Sequence, residues 1–106
     1  MSRLGQMMNM CTSFQLKLGN DVMSQKFINE QALAMFVETA EMIQETNWKS
    51  WKKPKEIDQA KFREELIDMW HFMINLTLAS GMDASDVHKQ FMAKHKINHE
   101  RQDKGY

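Results

Sequence analysis

Glu38, Glu41 and Glu45 sit in the stretch FVETAEMIQE, residues 36–45, at spacings that place all three within about 60° of one another on a helix. Phe36, Val37, Ala40, Met42 and Ile43 surround them, so the acids cut into an apolar segment. A second pair, Glu65 and Asp68 in ELIDMWHF, shares a helical stripe that continues into Phe72, Leu76 and Ala79, which read as core. Glu64 falls off that stripe and reads as an ordinary surface charge. Two unit charges about 4 Å apart repel by about 4 kcal/mol at an effective dielectric of about 20, so clustered carboxylates need a partner. A carboxylate set without cysteine, and with histidine only at its edges, suits a hard cation, Mg²⁺ or Mn²⁺, better than zinc. The other account of the same spacing is a solvated acidic edge paired with Lys49, Lys52, Lys53 and Lys55.

Long helices must carry these residues. Pro54 is the only proline and glycine occurs four times in 106 residues, too few breakers for a chain of many short strands. Apolar periodicity predicts helices over Arg3–Leu18, stopped by Gly19, and over Gln25–Thr46. A third is predicted from an Asp58 cap to Gly81, and a fourth from Asp83, with Asp86 favouring its positive end, to about Arg101. Trp70 and the 11 methionines read mainly as core filler. The second and third helices are apolar over more than one stripe, which a thin bundle would leave partly exposed. The expectation is one all-α domain over residues 1–106, a four-helix bundle that oligomerises.

The pattern ETAE, 23 intervening residues, then ELID resembles the E-x-x-E…E-x-x-D signature of the all-α nucleoside triphosphate pyrophosphohydrolases, which include MazG-like proteins, dCTPases and dimeric dUTPases. The basic, Trp-containing loop ETNWKSWKKP and the His71-Phe72 step in ELIDMWHF resemble the dUTPase-type branch, and KHKINHERQDKGY resembles its phosphate-binding tail. The resemblance runs from about residue 30 onward. It implies a MazG-like bundle in which Glu38, Glu41, Glu65 and Asp68 bind Mg²⁺ and help activate the water that cleaves a triphosphate to monophosphate and pyrophosphate.

Lys94, Asn98 and Arg101 share one stripe at i, i+4 and i+7. Their chemistry suits a polyphosphate, though cations near a helix C-terminus also simply suit its dipole. The resemblance assigns phosphate binding to Lys94, Asn98, Arg101 and Tyr106, and Lys49 in the basic loop is a further phosphate candidate. His95 and His99 lie off the stripe and read as surface residues. Trp48 or Trp51 stacks on a base or pins its loop, and Trp51 is the better match to the family. Dimeric dUTPases read uracil with a Gln and an Asn four residues on. Here Gln15 is followed at that offset by Gly19, with Asn20 one step later, so either the first helix carries a different register or the base is not uracil; the substrate that the resemblance implies is a pyrimidine deoxynucleotide such as dUTP or dCTP.

Fourteen basic against 14 acidic residues give a formal net charge of zero, unlike the footprint of a nucleic-acid binder or a polybasic membrane tether. Cys11 is the single cysteine, MSRLGQMMNMCTSF lacks a signal-peptide apolar run, and no window of about 20 apolar residues spans a membrane. The expectation is a cytoplasmic enzyme that removes surplus or non-standard nucleotides. The rival is a helical module that binds a nucleotide or a partner helix without catalysis.

Overall fold

Each helix begins at a residue that supplies a side-chain acceptor for orphan backbone N–H groups. In the computed structural model, which describes residues 1–105, Ser2 accepts from the Gly5 amide at 3.0 Å and starts α1, Arg3–Leu18. Ser24 accepts from Phe27 at 3.1 Å and starts α2, Gln25–Gln44, two residues shorter than periodicity predicts. Asp58 accepts from Lys61 at 3.1 Å and starts α3, Gln59–Ala79. At α4, Ala84–Asp103, Asp83 and Asp86 cap each other: the Asp86 amide donates to Asp83 at 2.8 Å and the Asp83 amide to Asp86 at 3.0 Å. That amide donation from Asp86 holds the exposed Asp83 carboxyl below the usual range. Gly19, at φ 76°, takes the left-handed conformation that ends α1. All four elements are helices, so the chain is all-α across the described residues.

Three contacts fix α2 against α3 as antiparallel partners. Asn75 Nδ2 donates to Gln31 Oε1 at 2.9 Å, Thr39 lies beside Met69, and Lys61 pairs with Glu45 at 3.3 Å. Residue numbers rise along α2 as they fall along α3. α1 meets α3 through a small cluster of Met8, Cys11 and Ile74, with Leu4, Leu78 and Ala84 packed on it. Burial pushes the Cys11 thiol up, which keeps it protonated and unreactive beside His71.

The bundle does not close within one chain. α4 packs only on α1, where Ala84 joins the cluster, and from His88 to Gly105 every residue is exposed. The radius of gyration is 17.1 Å, against about 13 Å for a compact domain of this length. Several residues read as core in the sequence are therefore on the surface. Trp70 is 50 % exposed, and of the methionines only Met8 is buried among the described residues. Their periodicity was legible, but this chain's own packing does not cover them.

Asn75 is buried, and its Oδ1 has no hydrogen-bond partner. Its only anchor is Gln31, so Asn75→Ala orphans a second amide, at a cost of about 1–3 kcal/mol. A melting temperature at least about 4 °C lower is expected in thermal denaturation. The double change Gln31→Leu, Asn75→Leu removes both polar groups together and should cost less than the single one.

Candidate metal centre

The antiparallel register of α2 and α3 decides which acids meet. Between the Gln31–Asn75 and Glu45–Lys61 contacts, it brings Glu38 opposite Glu65 and Asp68. One carboxylate oxygen from each of the three lies within 4.8 Å of the others. Glu38 and Glu65 are partly buried and Asp68 faces solvent, so the cluster is open on one side.

The nearby ammonium of Lys61 acts on Glu65 only at a distance. Among the described residues the ion pairs are Lys26–Glu30, Lys61–Glu45 and His99–Asp103, and none touches the cluster. Glu38 Oε2 is buried with no hydrogen-bond partner. The Glu65 carboxylate against Glu38, burial, and the charges of Glu41, Glu65 and Asp68 together push the Glu38 carboxyl up from 4.5 to about 7. Two carboxylates can touch only by sharing a proton or a cation. Three oxygen donors with an orphaned buried oxygen fit a hard divalent ion, which would take the place of that proton.

Glu41 is exposed and outside the tight group, yet its charge still acts on Glu38. Glu45, on the same stripe in the sequence, is separated from it by its pairing with Lys61, a partner beyond the loop lysines named as its alternative. That pairing raises the exposed Lys61 ammonium above its ordinary value.

Beyond the C-terminal end of α2, the basic loop is shaped rather than loose. Asn47 donates to the Lys55 carbonyl at 2.9 Å and accepts from the Lys55 amide at 3.0 Å, which draws the loop into a concavity of about 290 Å³. Lys49, Lys52, Lys53 and Lys55 line it. Lys49 Nζ lies 5.4 Å from the Trp48 ring, and Trp51 meets Trp48 edge-on at 5.7 Å. Trp51 is itself 71 % exposed, leaving a ring face open.

Gln15 is buried, and its Oε1 accepts from Asn20 Nδ2 at 2.8 Å. Gly19 makes this possible, because its left-handed turn brings Asn20 back over the helix end. Lys94, Asn98 and Arg101 lie on the exposed half of α4, which does not touch α2 or α3, so one chain does not bring them to the acids. Tyr106 lies outside the described residues. The buried Gln31–Asn75 pair was missed in the sequence: two amides 44 positions apart leave no local pattern, and only the α2–α3 register exposes them.

The dUTPase family model matches residues 1–84. That match includes α1 and all four motif acids and stops where α4 begins, so Lys94, Asn98 and Arg101 lie beyond it. Two similar proteins are dCTP pyrophosphatases of Enterobacteria phage T4 and phage LZ5. The first is 38% identical over 71 residues, covering 56% of this chain and 42% of the relative. The second is 39% identical over 71 residues, covering 56% and 41%. The chain therefore spans about two-fifths of the length of these curated relatives. No solved structure matches it.

Proposed function

This chain belongs to the all-α, MazG-like dUTPase family, and from that premise we propose that it hydrolyses a pyrimidine deoxynucleoside triphosphate to the monophosphate and pyrophosphate. The observation that carries the reading is the open cluster of Glu38, Glu65 and Asp68, which brings one carboxylate oxygen from each within 4.8 Å of the others. The family's dUTPase description and the dCTP pyrophosphatase relatives support a pyrimidine base.

Glu38, Glu65 and Asp68 would hold Mg²⁺, or Mn²⁺ in its place, and Glu41 stands at the exposed edge of that site. A bound divalent ion supplies neutralisation of phosphate charge and a more acidic water. Glu41 makes no ion pair among the described residues and accepts the proton of the attacking water. Lys49 holds a phosphate oxygen from the loop, while Lys94, Asn98 and Arg101 neutralise the leaving pyrophosphate. Trp51 offers its open face to the base, and the Gln15–Asn20 pair offers amides to the base edge. The large exposed apolar surface supports a homo-oligomer. None of the described helices is long and apolar enough to cross a membrane. A single buried thiol suits a reducing cytoplasm, where such an enzyme would clear surplus nucleotides.

Initial rates of pyrophosphate release from the four canonical dNTPs and dUTP, with Mg²⁺ and with EDTA, test this directly. Mg²⁺-dependent release confined to dCTP, dUTP or both is expected. Saturable binding without product would instead favour a nucleotide-binding module.

A further inference from the structure

Among the described residues two buried side-chain atoms have no hydrogen-bond partner, Glu38 Oε2 and Asn75 Oδ1. They belong to one seam. Gln31 and Glu38 are seven positions apart on α2, as are Asp68 and Asn75 on α3, so the members of each pair lie within about 20° of one another on their helix. The contact of Gln31 with Asn75 therefore repeats the meeting of Glu38 with Asp68 two turns away, about 10.5 Å along the seam at about 1.5 Å per residue. Between the two levels Ala34 and Phe72 are only half-buried, so solvent reaches the seam there.

The orphan beside the acids suits a cation. The second sits among neutral groups: Asn75 is 6 % exposed, and its partner across the seam is another amide. An unpaired buried acceptor is costly, and a donor arriving with a ligand would satisfy it. Because Asn75 donates through Nδ2 to Gln31 Oε1, it presents Oδ1 as a fixed acceptor. A pyrimidine nucleotide with its α-phosphate at the acids reaches about this far with the substituent at ring position 4, since C4 stands opposite the nitrogen that carries the sugar. Cytosine has an amino group there, a donor, and uracil a carbonyl, an acceptor. We propose that Asn75, oriented by Gln31, selects the base: its Oδ1 accepts a hydrogen bond from the 4-amino group of cytosine and repels the 4-oxo group of uracil. The Gln15–Asn20 pair makes no such choice, because neither of its amides leaves a buried atom orphaned. The proposal takes the seat of the phosphate from the hydrolase reading, but the preference for a donor does not depend on cleavage.

Equilibrium dialysis of dCMP and dUMP against the full chain in Mg²⁺, beside kcat/KM for dCTP and dUTP, tests the assignment. Wild type should favour the cytosine nucleotide by at least about tenfold in both measurements. The double change Gln31→Leu, Asn75→Leu orphans no amide, and it should bring both ratios to within about twofold of one. Gln31→Glu still accepts from Asn75 and should keep the preference, whereas Gln31→Leu frees the amide to turn and should lose most of it. A pair that only braces the helices or holds a water would shift melting temperatures and leave both ratios unchanged. That result would overturn the proposal, as would wild-type ratios near one or a wild type that neither binds nor cleaves these nucleotides. If the wild type binds dCMP but cleaves nothing, the hydrolase reading falls and the dialysis ratio still decides Asn75.

Discussion

Asp68→Asn is expected to lower kcat by at least about a thousandfold, close to 4 kcal/mol of transition-state stabilisation, and to leave the helical fold intact. The reasoning starts from exposure. Asp68 is the solvent-facing member of the cluster and packs no core, so its removal leaves no cavity. What it loses is an anionic oxygen donor within 4.8 Å of Glu38 and Glu65, and an amide binds a hard cation far less well. Stability should move the opposite way from activity. Without metal, the carboxylate is one of several like charges, and its neutralisation relieves repulsion worth up to about 1 kcal/mol at a site open to solvent. Circular dichroism melts in EDTA should therefore show the variant as stable as wild type or slightly more so. A variant that melts much earlier would make Asp68 a structural residue, and one that keeps the wild-type kcat would remove it from the site.

The second large effect is a reversal of pH dependence by metal. Glu38 has a folded-state pKa of about 7 against an ordinary value of 4.5. The folded state thus holds a proton that the unfolded chain gives up, and the associated stability is fully present below about pH 4.5. It is lost as pH rises through about 7. In EDTA the melting temperature should fall between pH 5 and 8, and Glu38→Gln, which cannot titrate, should flatten that part of the slope. Saturating Mg²⁺ binds only the deprotonated cluster, so it should raise the melting temperature most above pH 7. At a hundredfold excess over Kd that gain is about 2.7 kcal/mol. Calorimetry near pH 7 in buffers of different ionisation enthalpy should register proton release on binding. Equal slopes for wild type and Glu38→Gln, or no added stability from Mg²⁺ at pH 8, would disprove the assignment.

The helices were legible because their signals are local. Ser2, Ser24, Asp58 and Asp83 each cap within three residues, and Gly19 and Gly81 end runs that could not continue past them. The acids of the cluster were legible for a related reason: Glu38, Glu65 and Asp68 interrupt apolar stripes, and an interruption on a helix is visible from spacing alone. Periodicity states that a helix has an apolar face without stating which body covers it. Trp70 and Met10 were therefore readable as apolar contacts but not as surface, because nothing in the chain's own packing covers them. The pairing of Glu45 with Lys61 was hidden similarly, since it depends on how the basic loop returns α3 along α2. The hydrogen bond between Gln15 and Asn20 was hidden too, since it depends on the left-handed turn at Gly19 that brings Asn20 back over the helix end.

The proposed chemistry and the expected pH dependence both rest on one feature, the cluster of Glu38, Glu65 and Asp68 between α2 and α3. The most direct test is phosphorus NMR of dCTP and dUTP turnover by the full chain with Mg²⁺, beside Asp68→Asn and an EDTA control. A growing pyrophosphate signal from wild type alone, with the monophosphate beside it, is the expected result. Orthophosphate as the sole product, or pyrophosphate formed equally by Asp68→Asn, would contradict a pyrophosphohydrolase centred on Glu38, Glu65 and Asp68.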